Sequence, residues 1–221
     1  NAGYKDLVLE HIPELKEHQI LCEPIGRNTA PCIAYAAERL AKEDPEAMMI
    51  VTPSDHLILD EVEFINVARE CVDYAAVNDA LMTIGLRPSR PETGYGYIQV
   101  SSREAITKVK TFTEKPNLEM AQTFLASGEF LWNSGIFIWK TSSILAAIER
   151  HLPDMHTLFA SAADKYGTEA EAEAIAATAR MHAILLSTFD AIMLSSFLLL
   201  LFGLLTVVCC VSVTHRALQN G

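Results

Sequence analysis

The chain has 221 residues, of which 50% are hydrophobic, and its formal net charge at pH 7 is −11. This length suits one α/β domain, or a domain with an appendage, and supplies enough apolar residues for a sizeable core. The acidic balance, without a run of lysine or arginine, excludes nucleic acid as a general partner. The 5 cysteines include no C-x-x-C pair, so reduced thiols in a cytoplasmic protein are expected.

The first part of the chain is predicted to alternate between helices and strands. Apolar residues at helical spacing predict a short first helix that ends near Pro13. Residues 19–22 are predicted to form a strand, and the Ala-rich segment from Pro31 an amphipathic helix. A continuous apolar run at 48–52 is typical of a strand covered on both faces. Asp60, with a glutamate three residues later, predicts the start of the next helix.

The middle of the chain is richer in strands. Strands are predicted at 80–86, 95–100, 106–113 and 130–139. Further helices are predicted between residues 118 and 180. The repeated strand, loop and helix indicate an α/β fold with a mostly parallel sheet and flanking helices.

The loop at 23–31 (E-P-I-G-R-N-T-A-P) lies between a predicted strand and a predicted helix. Such a loop offers free backbone N–H groups and the positive end of a helix dipole, which favour phosphates or a nucleotide. The simpler interpretation is an ordinary helix start with Asn28 or Thr29 as the N-cap. That interpretation leaves Glu23 and Arg27, beside the cap, without a role.

Asp55 directly follows a predicted buried strand. Ligands of open parallel sheets gather at the carboxyl ends of strands, and a carboxylate there suits Mg²⁺ that bridges phosphates. The alternative is that Asp55 only caps its turn, and the residues themselves do not decide between the two. His56 is interpreted as a structural turn residue because Mg²⁺ prefers oxygen ligands.

Two later loops have the composition of a sugar-phosphate site. Segment 90–97 (R-P-E-T-G-Y-G-Y) has two glycines that allow a ligand to approach the backbone, and Tyr95 adds a flat face. A turn with packed tyrosines is the alternative, and we favour it for Tyr97. Glu114 could accept hydrogen bonds from sugar hydroxyls, and Lys115 could reach a phosphate. The alternative there is a solvated charge pair.

Two polar residues, Asn133 and Ser134, interrupt an otherwise apolar strand. A buried amide must find hydrogen-bond partners, and the hydroxyls of a sugar would serve. The alternative is a β-bulge at Gly135 whose polar groups satisfy the backbone.

Five segments together (E-P-x-G-R-N-T-A-P, P-S-D-H, E-T-G-Y-G-Y-I, F-T-E-K-P and W-N-S-G-I-F) resemble the ordered motifs of the mannose-1-phosphate guanylyltransferases. These enzymes are sugar-1-phosphate nucleotidyltransferases, and the resemblance covers about residues 4–166. It implies a partial Rossmann-like (glycosyltransferase-A-like) domain. It also implies transfer of GMP from GTP to mannose 1-phosphate, with Mg²⁺, to give GDP-mannose and pyrophosphate. Glucose 1-phosphate with UTP or dTTP is the alternative substrate pair.

The resemblance assigns roles to individual positions. The residues expected to contact the guanine nucleotide all lie in the first loop: Glu23, Pro24, Arg27, Asn28 and Thr29. The residues expected to contact mannose are Tyr95, Gly96, Glu114 and Asn133. The two catalytic positions are Asp55, which would also bind the metal, and Lys115, which would face the phosphate of the sugar. For Arg27, bracing its loop is the alternative.

Two elements of the family pattern are missing from this sequence: the Gly-rich triphosphate segment and a second metal-binding aspartate. The chain begins with Asn rather than Met, so it is expected to start inside a domain. We therefore expect this chain to be catalytically inactive or nearly so. The alternative function is a noncatalytic sugar-nucleotide-binding or regulatory remnant.

An apolar tail at 181–221 is expected to follow an incomplete nucleotidyltransferase domain at 1–180. Its uncharged run at 191–213 would span roughly 34 Å as a helix, enough for a bilayer core of about 30 Å, and is a candidate transmembrane helix. Single-pass membrane attachment, a buried hydrophobic helix, and unrelated sequence joined by a frameshift or assembly error are the three interpretations. We favour the last, because the motifs stop where the composition changes. The domain itself is expected in the cytoplasm, and a homo-oligomer is compatible with the sequence.

Overall fold

The computed structural model describes residues 2–24, 29–187 and 206–211, and these form two compact units. The first unit contains the described residues of 2–47 and 144–187. The second contains Met48–Ser143 and the strand at 206–211. The boundary predicted at residue 180 stays a prediction.

The elements are numbered in chain order. The helices are α1 (Lys5–His11), α2 (Thr29–Ala41), α3 (Glu61–Asn78), α4 (Leu118–Ser127), α5 (Thr141–His151), α6 (Pro153–Ala160) and α7 (Glu171–Ser187). The strands are β1 (Met48–Val51), β2 (Leu81–Leu86), β3 (Tyr97–Val100), β4 (Ile106–Thr113), β5 (Phe130–Lys140) and β6 (Thr206–Val211). Short 3₁₀ turns cover Ala2–Tyr4, Glu17–Gln19 and Ala163–Lys165.

In the first unit, α2 packs against α6, and α6 packs against α7. A half-buried carboxylate, Glu171 at the start of α7, connects this helix to α2. It accepts hydrogen bonds from the Tyr35 hydroxyl at 2.8 Å and from the Gly167 N–H at 2.9 Å. The Arg39 Nε lies 3.5 Å from the same carboxylate. Burial beside this carboxylate raises the pKa of the Tyr35 hydroxyl, so Tyr35 stays protonated and remains a donor.

In the second unit, α3 packs on the sheet. Val67, Cys71 and Ala75 from α3 form one buried cluster with residues of the sheet that include Met82 and Ile138. The start of α3 confirms the predicted cap, because the Asp60 carboxylate accepts the N–H of Glu63 at 3.0 Å.

The sheet is not mostly parallel, as the sequence pattern predicted. Its strand order is β1-β5-β2-β6-β4-β3, with a further β3–β5 pairing. Among the described strands, only β2 and β6 pair in parallel, and the other pairings are antiparallel. β1 and β2 run in the same direction, as the β1-α3-β2 repetition indicates, because both are antiparallel to β5. The prediction is wrong because β5 lies between them.

Near the ends of the chain, the structure differs from the prediction at two elements. The helix predicted at 191–213 is contradicted at 206–211, where β6 pairs with β2 and β4. This short segment is rich in valine, threonine and cysteine, and the β-branched residues among these favour strands. The rest of the predicted span lies outside the described residues. Across the described part of the chain, no helix has both the length and the apolar character needed to cross a membrane. The strand predicted at 19–22 is also wrong, because a 3₁₀ turn followed by irregular backbone occupies that segment.

Candidate functional site

Three of the predicted sugar-site residues meet where β3 pairs with both β4 and β5. Tyr97, the first residue of β3, lies opposite Thr113 of β4 and Trp132 of β5. Because both pairings are antiparallel, the residue before Tyr97 lies beside the residues after its two partners. Those three residues are Gly96, Glu114 and Asn133. The sequence assigned all three to one site, and the strand register brings them together.

The Glu114 carboxylate approaches the backbone of Gly96 closely because this residue has no side chain. A Cβ atom there would lie 3.1 Å from the Oε2 of Glu114, 3.5 Å from the Cβ of Asn133 and 3.7 Å from the backbone oxygen of Thr113. The N–H of Asn133 donates to the Gly96 carbonyl at 2.8 Å, which holds the two strands at this separation. The side chains of Glu114 and Asn133 therefore lie side by side next to the Gly96 backbone.

The two polar residues within β5, Asn133 and Ser134, have different roles. The buried Ser134 hydroxyl donates to the Ile84 carbonyl at 2.6 Å and accepts the Ile136 N–H at 3.1 Å. Gly135 has a φ of +72°, and the β2–β5 register shifts here. The bulge interpretation is thus confirmed for Ser134 and Gly135. Asn133 also makes a local bond, since its Oδ1 accepts the Gly135 N–H at 3.1 Å, but it is only half-buried and lies beside Gly96.

An aromatic group lies beside the same part of β5. Tyr95 is 46% exposed, and its ring and the Trp132 ring form a T-shaped pair at a centroid distance of 5.4 Å. Because successive side chains of a strand point to opposite faces, Trp132 lies on the other face of β5 from Asn133. The Arg90 guanidinium carbon lies 5.5 Å from the Trp132 centroid. Sequence reasoning assigned no role to Arg90 or Trp132, although Trp132 directly precedes Asn133 within the W-N-S-G-I-F segment. The favoured interpretation of Tyr97 is confirmed, because this residue is fully buried and its hydroxyl bonds to the backbone of Glu92.

Lys115 adopts a backbone conformation that is unusual for its residue type. Its φ is +37°, in the left-handed region that favours glycine. Its ammonium group lies 3.9 Å from the Oε1 of Glu114, and both side chains are largely exposed. This geometry fits the solvated charge pair and leaves the ammonium accessible to a phosphate. A strained backbone at an exposed polar loop is typical of functional positions.

Asp55 lies exposed in the loop after β1. Within the described residues, no group of three or more histidine, cysteine, aspartate or glutamate side chains could hold a metal ion. Mg²⁺ commonly takes one or two carboxylates and completes its shell with water and substrate phosphates. An exposed carboxylate therefore fits a magnesium ion that arrives with a nucleotide, rather than one held in a cage of protein ligands.

The predicted nucleotide loop belongs to the first unit and is described in part. Arg27 and Asn28 lie outside the described residues. Glu23 is half-buried and Pro24 is exposed, while Thr29 is the first residue of α2. A helix therefore begins directly after this loop, as the sequence predicted, and free N–H groups in its first turn stay a prediction. Burial raises the pKa of the Glu23 carboxyl, and a hydrogen bond with the Cys32 thiol opposes that shift.

Comparison with known proteins identifies related chains. The family model described as Nucleotidyl transferase matches residues 1–176. The Xanthan biosynthesis protein XanB of Xanthomonas campestris pv. campestris (strain B100) is 41% identical over 155 residues, which are 69% of this chain and 33% of XanB. The mannose-1-phosphate guanylyltransferase of Escherichia coli (strain K12) is 41% identical over 165 residues, 70% of this chain and 34% of that protein. The chain therefore spans about a third of the length of these relatives.

A solved structure supports the same relationship. The crystal structure of mannose-1-phosphate geranyltransferase from Thermus thermophilus superposes with a TM-score of 0.74 at 25% sequence identity. The superposition covers 93% of this chain and 56% of that one. The nucleotidyl transferase fold is thus common to both.

Proposed function

The chain belongs to the nucleotidyl transferase family of enzymes, and we propose that it serves the transfer of GMP from GTP to mannose 1-phosphate, which yields GDP-mannose and pyrophosphate. The guanylyltransferase name of its relatives supports this choice of substrates over glucose 1-phosphate with UTP or dTTP. Because the chain spans about a third of those relatives, the proposal concerns the activity of the whole protein to which this family domain belongs.

The observation that most supports this function is that Glu114 and Asn133 lie together beside the Gly96 backbone. A carboxylate accepts hydrogen bonds from hydroxyl groups, and an amide both donates and accepts them. Neighbouring hydroxyls of a hexose offer such donors and acceptors. Tyr95 belongs to the sugar site by the family resemblance alone, since its ring packs against Trp132, on the other face of β5 from Asn133.

For this reaction the protein mainly has to position the two substrates and neutralise the charge of their phosphates. An oxygen of the sugar phosphate attacks the α-phosphorus of GTP in line, and pyrophosphate leaves, so no covalent enzyme intermediate is needed. Lys115 would hold the phosphate of the sugar as a point charge. Asp55 would bind Mg²⁺, which supplies positive charge to the phosphates when bound. The loop residues Glu23, Pro24, Arg27, Asn28 and Thr29 would hold the guanine nucleotide.

Binding to this chain tests the proposal directly. We expect mannose 1-phosphate, in isothermal titration calorimetry, to bind more tightly than glucose 1-phosphate. Replacing Glu114 with glutamine should weaken that binding about 10-fold or more, because a hydrogen bond to a charged group contributes about 1.5–3 kcal/mol. Glu119→Gln, an exposed carboxylate on α4, is the matched control and should bind like the wild type.

Three outcomes separate the alternatives. Preference for glucose 1-phosphate, or equal binding by the Glu114 and Glu119 variants, would overturn the assignment of the sugar. Detectable GDP-mannose formation from GTP would show turnover in this chain and contradict the expectation that it is inactive. Binding of GDP-mannose without turnover and without Mg²⁺ would favour the noncatalytic alternative.

The backbone at Lys115 leads to a further prediction about the same site. Lys115→Gly should relieve a left-handed conformation that costs about 1–2 kcal/mol, against about 0.5–1 kcal/mol of added chain entropy in the unfolded state. We expect the free energy of unfolding in urea to stay unchanged or to rise by up to about 1.5 kcal/mol. The affinity for mannose 1-phosphate should fall, because the phosphate loses a cationic partner.

Lys108→Gly is the control for that substitution. Lys108 is exposed within β4, where glycine weakens a strand, so this variant should lose stability and keep its affinity for the sugar phosphate. If Lys115→Gly were destabilised as much as Lys108→Gly, the backbone at Lys115 would not be strained.

A further inference from the structure

The side chain of Glu92 organises the loop that leads into β3. Its Oε1 accepts the N–H groups of Thr93 and Gly94, each at 3.1 Å. Its Oε2 accepts from the Nε and Nη2 of Arg90, at 3.2 and 3.1 Å. Both carboxylate oxygens are therefore used, one by the backbone ahead of β3 and one by the guanidinium.

The backbone of Glu92 is also held, through the fully buried Tyr97. The N–H of Glu92 donates to the Tyr97 hydroxyl at 2.9 Å, and that hydroxyl donates to the Glu92 carbonyl at 2.9 Å. Tyr97 is anchored in turn by packing against Phe124, at a centroid distance of 5.3 Å. The segment between Glu92 and Tyr97 is thus bound at both ends by the same pair of residues.

That short segment contains the two sugar-site residues that come from this loop. Gly96 directly precedes Tyr97, and its carbonyl accepts the N–H of Asn133 at 2.8 Å. Tyr95 packs edge-on against Trp132, and Arg90, held by Glu92, lies over the same indole. The Gly94 N–H and the Arg90 guanidinium lower the pKa of the Glu92 carboxyl, so this residue stays ionised and holds both partners at neutral pH.

We propose that Glu92 is a positioning residue for the sugar site: its carboxylate fixes the loop that places Gly96 beside Glu114 and Asn133. The role rests on the proposed binding of mannose 1-phosphate. Glu92 acts through the loop and does not touch the ligand. The affinity for the sugar phosphate therefore depends on how many of the hydrogen bonds of the Glu92 carboxylate are present. Preorganisation of this kind raises affinity because less loop entropy is lost when the ligand binds.

Two substitutions of Glu92 in the 221-residue chain test the role. Glu92→Ala removes every side-chain contact, and the affinity for mannose 1-phosphate should fall about 10-fold or more. Glu92→Gln keeps an oxygen for the two backbone N–H groups and loses the ion pair with Arg90, so it should restore part of that affinity. The melting temperature should fall by no more than about 4 °C in either variant, since a loop contact contributes little to global stability.

Hydrogen exchange supplies a readout that does not depend on a ligand. The amide protons of Thr93 and Gly94 should exchange faster in Glu92→Ala than in the wild type. Their exchange rates in Glu92→Gln should lie between those of the wild type and of Glu92→Ala. Glu129→Ala is the matched control. Its carboxylate accepts from the Gln99 side chain at 2.9 Å, and its loss should leave both the exchange at Thr93 and Gly94 and the sugar affinity unchanged.

The outcomes distinguish this role from the proposed function. If the wild type binds mannose 1-phosphate and Glu92→Ala binds it equally well, Glu92 is not a positioning residue. If affinity and melting temperature fall together without rescue by Glu92→Gln, the residue is only structural, and the inference is again overturned. If the wild type does not bind mannose 1-phosphate, the proposed function fails and the sugar-positioning role fails with it. Should Glu92→Ala not fold, an affinity of Glu92→Gln equal to the wild type would overturn the role.

Discussion

Replacing Gly96 with alanine is expected to remove most of the affinity for mannose 1-phosphate while the chain stays folded. The added methyl would lie 3.1 Å from the Oε2 of Glu114 and 3.5 Å from the Cβ of Asn133. It would push the carboxylate aside by a few tenths of an ångström, which the flexible end of Glu114 permits at low cost. The displaced carboxylate would lose its hydrogen bond to the sugar, and because such a bond contributes about 1.5–3 kcal/mol, the affinity should fall about 10-fold or more. Calorimetric titration with mannose 1-phosphate measures the loss.

Gly94→Ala is the matched control, two residues earlier in the same loop. A Cβ atom at Gly94 would meet the Oε1 of Glu92 at 3.4 Å, an ordinary van der Waals distance. This variant should keep the wild-type affinity, and both variants should unfold at nearly the same urea concentration. If Gly96→Ala bound the sugar phosphate as tightly as Gly94→Ala, Gly96 would not belong to the sugar site.

The largest stability effect is expected from Ser134→Ala. The hydroxyl of Ser134 is buried, and it bonds to the Ile84 carbonyl at 2.6 Å and to the Ile136 N–H at 3.1 Å. Removing it leaves two buried backbone groups without that partner, at a cost of about 1–3 kcal/mol in the free energy of unfolding. Urea denaturation measures this loss. The affinity for mannose 1-phosphate should change less than twofold, because Ser134 serves the bulge and not the ligand.

Ser127→Ala repeats the same chemistry at the surface. The Ser127 hydroxyl donates to the Phe124 carbonyl at 2.8 Å and accepts the Glu129 N–H at 3.2 Å, but Ser127 is exposed. Water can replace those bonds, so the cost should be within about 0.5 kcal/mol. Equal destabilisation by the two substitutions would contradict the argument from burial. A 10-fold loss of sugar affinity in Ser134→Ala would instead place Ser134 in the binding site.

Much of the local structure was predictable from the sequence. The alternating segment at 106–113 matches β4, and the Asp60 cap matches the start of α3. These features depend on residues close to one another in the chain, because side-chain periodicity and capping hydrogen bonds act within one or two turns. The family could be identified from local sequence for the same reason, since the five segments that indicate it are each short and contiguous.

Strand pairing could not be predicted in the same way. Residues 48–51 and 81–86 have the composition of neighbouring parallel strands, and they do run in the same direction. β5 separates them, although it begins 44 residues after β2 ends. Which strand occupies that place depends on contacts between distant segments, and the local sequence does not encode them. The predicted helix over 206–211 failed for the same reason, because an apolar run suits a helix or a buried strand until its neighbours are known.

The sequence by itself predicted which residues are available for the proposed sugar site: Gly96, Glu114 and Asn133, with Lys115 beside Glu114. Only the tertiary structure decided how they meet. The antiparallel register of β3 with β4 and β5 brings the three residues together, and it reveals contacts that local patterns did not predict, such as the indole of Trp132 beneath Arg90. The physical reason is that residue chemistry belongs to each position alone, whereas the geometry of a site arises from hydrogen bonds between strands that are distant in the chain.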